Sequence, residues 1–244
     1  MNVRRPNFRE MPFSRLIEEV EEIAELRREY AAKNEKDRRV AADFQYHSSI
    51  ATSLFNELVP GHEDESSRWP GELLALAIDP TYAPAILTVG SYEYIYGRKD
   101  EAMGHFLSLT RLPENTEDLV TIIDKAGDFL IDNQDFENAI KLYSSAIAAY
   151  PDIAVFHNGL SYCYEKLGDF SKAIEEAKVA VELDPENHVY LTDLGWTLVE
   201  AKRFDEAEAV LKKAVRLSPP DYDLAKNNLE ELKKRKDRMS FVDK

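Results

Sequence analysis

The feature that most restricts this chain is a repeat of 34 residues. Segment 154–187 aligns with 188–221 without a gap: Phe170 falls on Phe204, Ala173 on Ala207, Ala180 on Ala214, Leu183 on Leu217 and Pro185 on Pro219. One period earlier, 120–153 puts Phe136, Ala139, Ala146 and Pro151 in the same places. A fourth unit, 83–116, is offset by the insertion Glu117 to Leu119. It keeps Gly90, Ala102, Phe106 and Leu112, with Lys99 in place of the aromatic and Glu114 in place of proline. A repeat of this length is one supersecondary unit that buries its apolar face only by stacking on a neighbour.

Each recurrence has a physical reason. A small residue in the first half of the unit (Gly90, Gly127, Ser161, Gly195) lets two helices approach closely, and the alanines Ala102, Ala139, Ala173 and Ala207 do the same from the other side. Phe136, Phe170 and Phe204 open the second helix and fill the wedge below the turn. Pro151, Pro185 and Pro219 end it, because proline cannot continue a helix. Gly97, Gly168, Asn133-Gln134-Asp135 and Lys202-Arg203 mark the turn inside each unit. The spacing therefore predicts pairs of antiparallel helices.

This pattern resembles the tetratricopeptide-repeat family over residues 83–221. The family's bulky aromatic near the start of the first helix is replaced by Ile86, Ile123, His157 and Leu191. The resemblance implies an all-α fold, a right-handed α-solenoid of helix-turn-helix repeats with N-terminal helices and a C-terminal capping helix. The expected layout has an N-terminal arm and amphipathic helix over 1–37 and a degenerate repeat-like pair with an enlarged loop over 38–82. Four repeats follow (83–116, 120–153, 154–187 and 188–221), then a capping helix and tail over 222–244.

The flanks carry weaker signals. Ser14 is placed to cap a helix reaching about Lys33, with Leu16, Val20, Ile23 and Tyr30 on one face. A helix is expected over 38–58, then a polar loop containing His62-Glu63-Asp64-Glu65, then a short helix from Pro70 to Asp79-Pro80. Beyond Pro219, Leu224, Asn228, Leu229 and Leu232 begin another helix, which runs into the basic stretch Lys233 to Arg238. Terminal repeats need such a polar outer face.

Formal net charge is −15. A chain that acidic repels phosphate backbones, so no direct nucleic-acid partner is expected. No apolar run approaches the roughly 18 residues of a membrane span, and Met1 to Glu10 reads as a charged arm rather than an export signal. The single cysteine, Cys163, allows no intramolecular disulfide and is expected to be buried packing. The default location is cytoplasmic. The five histidines, His47, His62, His105, His157 and His188, show no metal-binding spacing. No phosphate-cradling loop is present. No catalytic residue, metal or cofactor is assigned, and the chain is expected not to be an enzyme.

In this family the first helices line a concave groove that takes peptide segments. Carried over by position, the groove residues are Tyr94, Asp124, Asp128, Asn158, Tyr162, Thr192 and Trp196. The lysine and asparagine clamp by which some members hold a chain-terminal carboxylate is not reproduced. Leu87, Asp124, Asn158 and Thr192 fill one row, and Ser91, Asp128, Tyr162 and Trp196 the other. Acid and aromatic area together suit a peptide with basic and apolar residues. Alternatively, N-terminal helices cover some of these aromatics, making part of the groove a core. The leading expectation is a scaffold or chaperone-like adaptor. The alternative is an accessory or regulatory subunit docking on an enzyme complex through its N-terminal helices or convex face.

Overall fold

The structure, a computed structural model, describes residues 29–30, 33–58 and 71–242. Among the described residues every regular element is an α-helix. They are α1 (Glu35–Leu58), α2 (Gly71–Ile78), α3 (Ala83–Ile95), α4 (Lys99–Leu109), α5 (Leu119–Asp132) and α6 (Phe136–Ala149). Then come α7 (Ala154–Lys166), α8 (Phe170–Leu183), α9 (His188–Glu200), α10 (Phe204–Leu217) and α11 (Leu224–Val242). The expected helix from Ser14 lies outside the described residues up to position 28, as does the loop holding His62. The chain divides into two compact units, Met1–Ala126 and Gly127–Lys244, the division falling inside α5.

In the first unit α1 pairs with α2 and α3 with α4. Helix α1 begins at Glu35, three residues before the sequence predicts, because Asn34 acts as a cap: its Oδ1 accepts the Asp37 N–H at 3.0 Å. Helix α2 is short but almost wholly buried, with Leu73, Ala75 and Ala77 in the core. Asp79 ties the turn after it. Its carboxylate accepts from the Thr81 N–H and hydroxyl at 2.9 and 2.6 Å and faces Arg39 of α1 at 3.2 Å. Tyr82 donates to Asp43 of α1 at 2.7 Å. In the α3–α4 pair, Gly90 lies so close to Phe106 that an added Cβ would meet the ring at 2.6 Å.

Four intra-repeat turns share one backbone solution. The N–H groups of Gly97 and Arg98 bond back to the carbonyls of Tyr94 and Glu93, both at 2.9 Å. Gln134/Asp135, Gly168/Asp169 and Lys202/Arg203 repeat the pattern. This paired closure returns orphan carbonyls at a helix end to hydrogen bonding and needs one left-handed residue. That residue is Gly97 (φ 82°), Gln134 (φ 57°), Gly168 (φ 80°) and Lys202 (φ 61°) in turn.

In the second unit the alanine stripe is the close-contact surface: Ala139, Ala173 and Ala207 are fully buried. Tyr143 of α6, also fully buried, lies against Gly127 of α5 and Gly159 of α7. Where the small position is Ser161, its hydroxyl donates to the Ala173 carbonyl at 2.8 Å. His157, at the position of the family's aromatic, is buried and satisfied. Its Nδ1 lies 2.7 Å from Glu176 and its Nε2 3.0 Å from the Pro151 carbonyl. Helix α11 docks through two fully buried side chains, Ala225 and Leu232. Leu232 joins the core of Ile174, Leu194, Leu198 and Leu211.

Candidate functional site

A cavity of about 320 Å³ opens in the second unit, lined from three helices. Helix α7 supplies Asn158, Ser161, Tyr162, Glu165 and Lys166; α9 supplies Asp193, Trp196 and Thr197; α11 supplies Leu224 and Asn228. Helices α7 and α9 present these side chains because one face of each, Leu160 and Cys163 on α7 and Leu194 and Leu198 on α9, is committed to the core. Residues one or two positions away turn out into the space between helices. Tyr162 is 42% exposed, enough to offer a ring face.

Two of the polar groups are carboxylates, Glu165 and Asp193, and one is the Lys166 amine. Asp193 accepts one hydrogen bond from the Asn158 amide at 2.9 Å. The Thr197 hydroxyl donates to Glu165 at 2.7 Å, and Lys166 approaches the other Glu165 oxygen at 3.4 Å. Burial pushes the Asp193 carboxyl above the usual carboxylate range; the Asn158 hydrogen bond draws it back and the Glu165 charge pushes it further up. Two aromatic faces near the cavity already carry cations. Lys166 Nζ lies 4.5 Å from the Tyr162 ring centre, and the Arg235 guanidinium 5.1 Å from that of Trp196.

Of the residues expected from the sequence, Asn158, Tyr162 and Trp196 meet in this cavity. Thr192 stands beside it without lining it; the residue is fully buried and its hydroxyl donates to the His188 carbonyl at 2.6 Å. Asp124 and Asp128 sit one turn apart on α5. The Asp128 carboxyl is raised, by partial burial first and then by the charge of Asp132. Tyr94 belongs to the first unit, is buried, and carries Lys99 at 4.7 Å from its ring centre. The cover over Trp196 comes from the C-terminal helix. Arg235 is held there by Glu200 at 2.9 Å and Glu231 at 3.3 Å.

The sequence reading did not assign Ser161, Asp193, Thr197, Leu224 and Asn228 to the groove. The repeat gave no signal for Asp193, since its equivalents one and two periods earlier are Gly159 and Lys125. Leu224 begins the C-terminal helix as the sequence predicts; it is 48% exposed, and Ala225 takes the buried place. The basic stretch after Leu232 is partly neutralised within the unit: Lys236 pairs with Asp205 at 2.9 Å and Glu208 at 3.0 Å.

Two further features bear on chemistry. Cys163 is fully buried, and burial pushes its thiol up to about 12, so it is held as an unreactive thiol. Among the described residues no group of three or more metal-binding side chains forms, and no helix is long and apolar enough to cross a membrane.

Family models described as tetratricopeptide repeat match residues 125–188 and 168–229. Sperm-associated antigen 1 of Mus musculus is 33% identical over 100 residues, covering 41% of this chain and 11% of that protein. A protein SGT1 homolog of Oryza sativa subsp. japonica is 33% identical over 80 residues, covering 33% of this chain and 22% of that protein. The small glutamine-rich tetratricopeptide repeat-containing protein 2 of Saccharomyces cerevisiae is 23% identical over 142 residues, covering 55% and 41%. The chain thus spans 11 to 41% of the length of these curated relatives. Among solved structures, the Sgt2 TPR domain from Aspergillus fumigatus is 21% identical, covers 48% of this chain and 78% of that one, and has a TM-score of 0.46. The first TPR of Spaghetti (RPAP3), bound to an HSP90 peptide, is 19% identical, with coverages of 47% and 90% and a TM-score of 0.44.

Proposed function

Because this chain carries tetratricopeptide repeats across residues 125–229, we propose that it is a non-enzymatic protein-interaction adaptor. It holds a polypeptide segment bearing basic and apolar residues, and it does so in the cytoplasm. The observation that carries this reading is the cavity between α7, α9 and α11, where the carboxylates of Asp193 and Glu165 lie among the apolar surfaces of Tyr162, Trp196 and Leu224. Cationic side chains gain from both the carboxylates and the rings, while apolar anchors gain from the rings alone. A segment ending in acidic residues would meet like charge here and be rejected. Asp124 and Asp128, one turn apart on α5, add negative charge that favours the same kind of basic segment.

A second reading is favoured by one feature of the first unit. Val40 and Phe44 of α1 are 63% and 68% exposed, beside a cavity of about 480 Å³ lined also by Tyr30, Lys33, Asp37 and Ile78. On that reading the chain is an accessory or regulatory subunit docked through its N-terminal part.

Affinity capture from native lysate separates the two. Wild type, the double reversal Asp124→Lys with Asp128→Lys, and Phe44→Glu are compared at low and moderate salt. A partner lost with the double reversal, and lost from wild type as salt rises, supports the groove reading. A partner kept by the double reversal and lost with Phe44→Glu moves function to α1.

A further inference from the structure

We propose that the second-unit cavity is a subsite for one cationic side chain, lysine or arginine, of the bound segment. The charge sits on Asp193 and Glu165, and the methylene stem lies against Trp196 and Tyr162. This rests on the peptide-holding reading above and narrows it to one position of the ligand.

The two carboxylates are oriented by neutral donors and have one cation between them, Lys166, which pairs with Glu165. Asn158 and Thr197 hold them at 2.9 and 2.7 Å, and both of these donors are uncharged. Glu165 has one cation near it, Lys166, at 3.4 Å. Asp193 has no cationic partner among the described residues, although burial pushes its carboxyl upward. Partly buried carboxylates without matching positive charge are costly in the empty protein, and a bound cation relieves that cost.

The surroundings show what kind of cation fits. Twice near this cavity the chain joins an aromatic face, a carboxylate and a basic side chain: Tyr162 with Glu165 and Lys166, and Trp196 with Glu200 and Arg235. Asp193 lies in the same cavity as both rings and lacks the third member. A hydrated metal ion is a poor match, because hard cations take six or more oxygen ligands and much of this wall is ring carbon and Leu224. A side chain with an apolar stem and a charged tip suits such a wall.

The test uses acetylated, amidated hexapeptides of leucine, alanine and serine that differ at one central position: lysine, arginine, norleucine or acetyl-lysine. The protein is the full chain with Trp69→Phe, which leaves Trp196 as its one tryptophan and fluorescence reporter. The lysine or arginine peptide is expected to bind about tenfold more tightly than the norleucine and acetyl-lysine peptides, and Asp193→Asn to remove that preference. Asp193→Asn keeps side-chain shape and an acceptor for Asn158. Without peptide it is expected to melt at a higher temperature than wild type, because a desolvated charge is gone. Glu165→Gln, which keeps the Thr197 hydrogen bond, is the second variant and should also weaken the preference. Equal affinity for the lysine and norleucine peptides, or an undiminished preference in Asp193→Asn, overturns the subsite while leaving peptide holding intact. If none of the four peptides binds wild type, the subsite and the peptide-holding reading fall together.

Discussion

Replacing Gly159 with alanine puts the close packing of the second unit to a quantitative test. In a helix the change alone gains about 1 kcal/mol, since glycine loses more chain entropy on folding. Here the new Cβ would lie 2.4 Å from Cζ of Tyr143, where carbon atoms prefer roughly 3.5–4.0 Å. The ring cannot swing away: Tyr143 is fully buried, and on another side it lies against Gly127, where a Cβ would meet it at 2.2 Å. Overpacking of that kind costs up to about 3 kcal/mol, so the net loss is about 2 kcal/mol. Gly104 in α4 is the matched control, with nothing within 4 Å of its added Cβ. Gly104→Ala should gain about 0.5–1 kcal/mol. In urea titrations followed by circular dichroism, the Gly159→Ala midpoint should fall by about 1 M, taking an m-value of about 2 kcal/mol/M. Tyr143→Leu in the Gly159→Ala background should return part of that loss. A Gly159→Ala midpoint at or above wild type would falsify the wedge argument.

Other outcomes follow from the turns, the thiol and the C-terminal helix. Gln134→Gly and Lys202→Gly should each raise stability by about 0.5–1 kcal/mol, because both residues hold a left-handed φ. Gly168→Ala, at φ 80° with open space around it, should lose about 1 kcal/mol in the same melts. Cys163 should resist a thiol reagent at pH 8 in the native state and react only at the rate of unfolding; fast labelling would contradict its burial. Lys212 and then Lys236 hold the Glu208 carboxyl down at about 2. A depressed carboxylate stabilises the fold fully above its unfolded value of about 4.3 and loses that contribution as pH falls toward the folded one. Thermal melts from pH 5 to 2.5 should therefore fall less steeply for Lys236→Ala than for wild type, and parallel curves would remove Lys236 from the cause.

The all-α fold was legible because its signals are local and periodic. A helix interface that needs small residues every 34 positions writes them as Gly127, Ser161, Gly195 and the alanine stripe. The glycine turns were visible too. Their equivalents at Gln134 and Lys202 were recognised as turns, yet the left-handed backbone there was hidden, since neither side chain advertises it. The start of α1 was placed late because Asn34 was not read as a cap. Gly159 shows another gap: its role depends on which ring lies opposite, and that ring, Tyr143, comes from the preceding helix.

For the candidate site the division is sharper. By itself the sequence determined that the protein is helical, repetitive and acidic. It also put Tyr162 and Trp196 one repeat apart on the first helices of their units, with Asn158 one turn before Tyr162. Only the tertiary structure decided which of these share a cavity, that Thr192 is buried with its hydroxyl on its own helix, and that α11 lays Arg235 over Trp196. Only it placed Asp193 beside Glu165 with no cation of its own among the described residues. Periodicity reports which face of a helix is buried, a property of one residue and its own helix. A binding cavity depends on the distances between side chains from three helices, and those distances are set by packing.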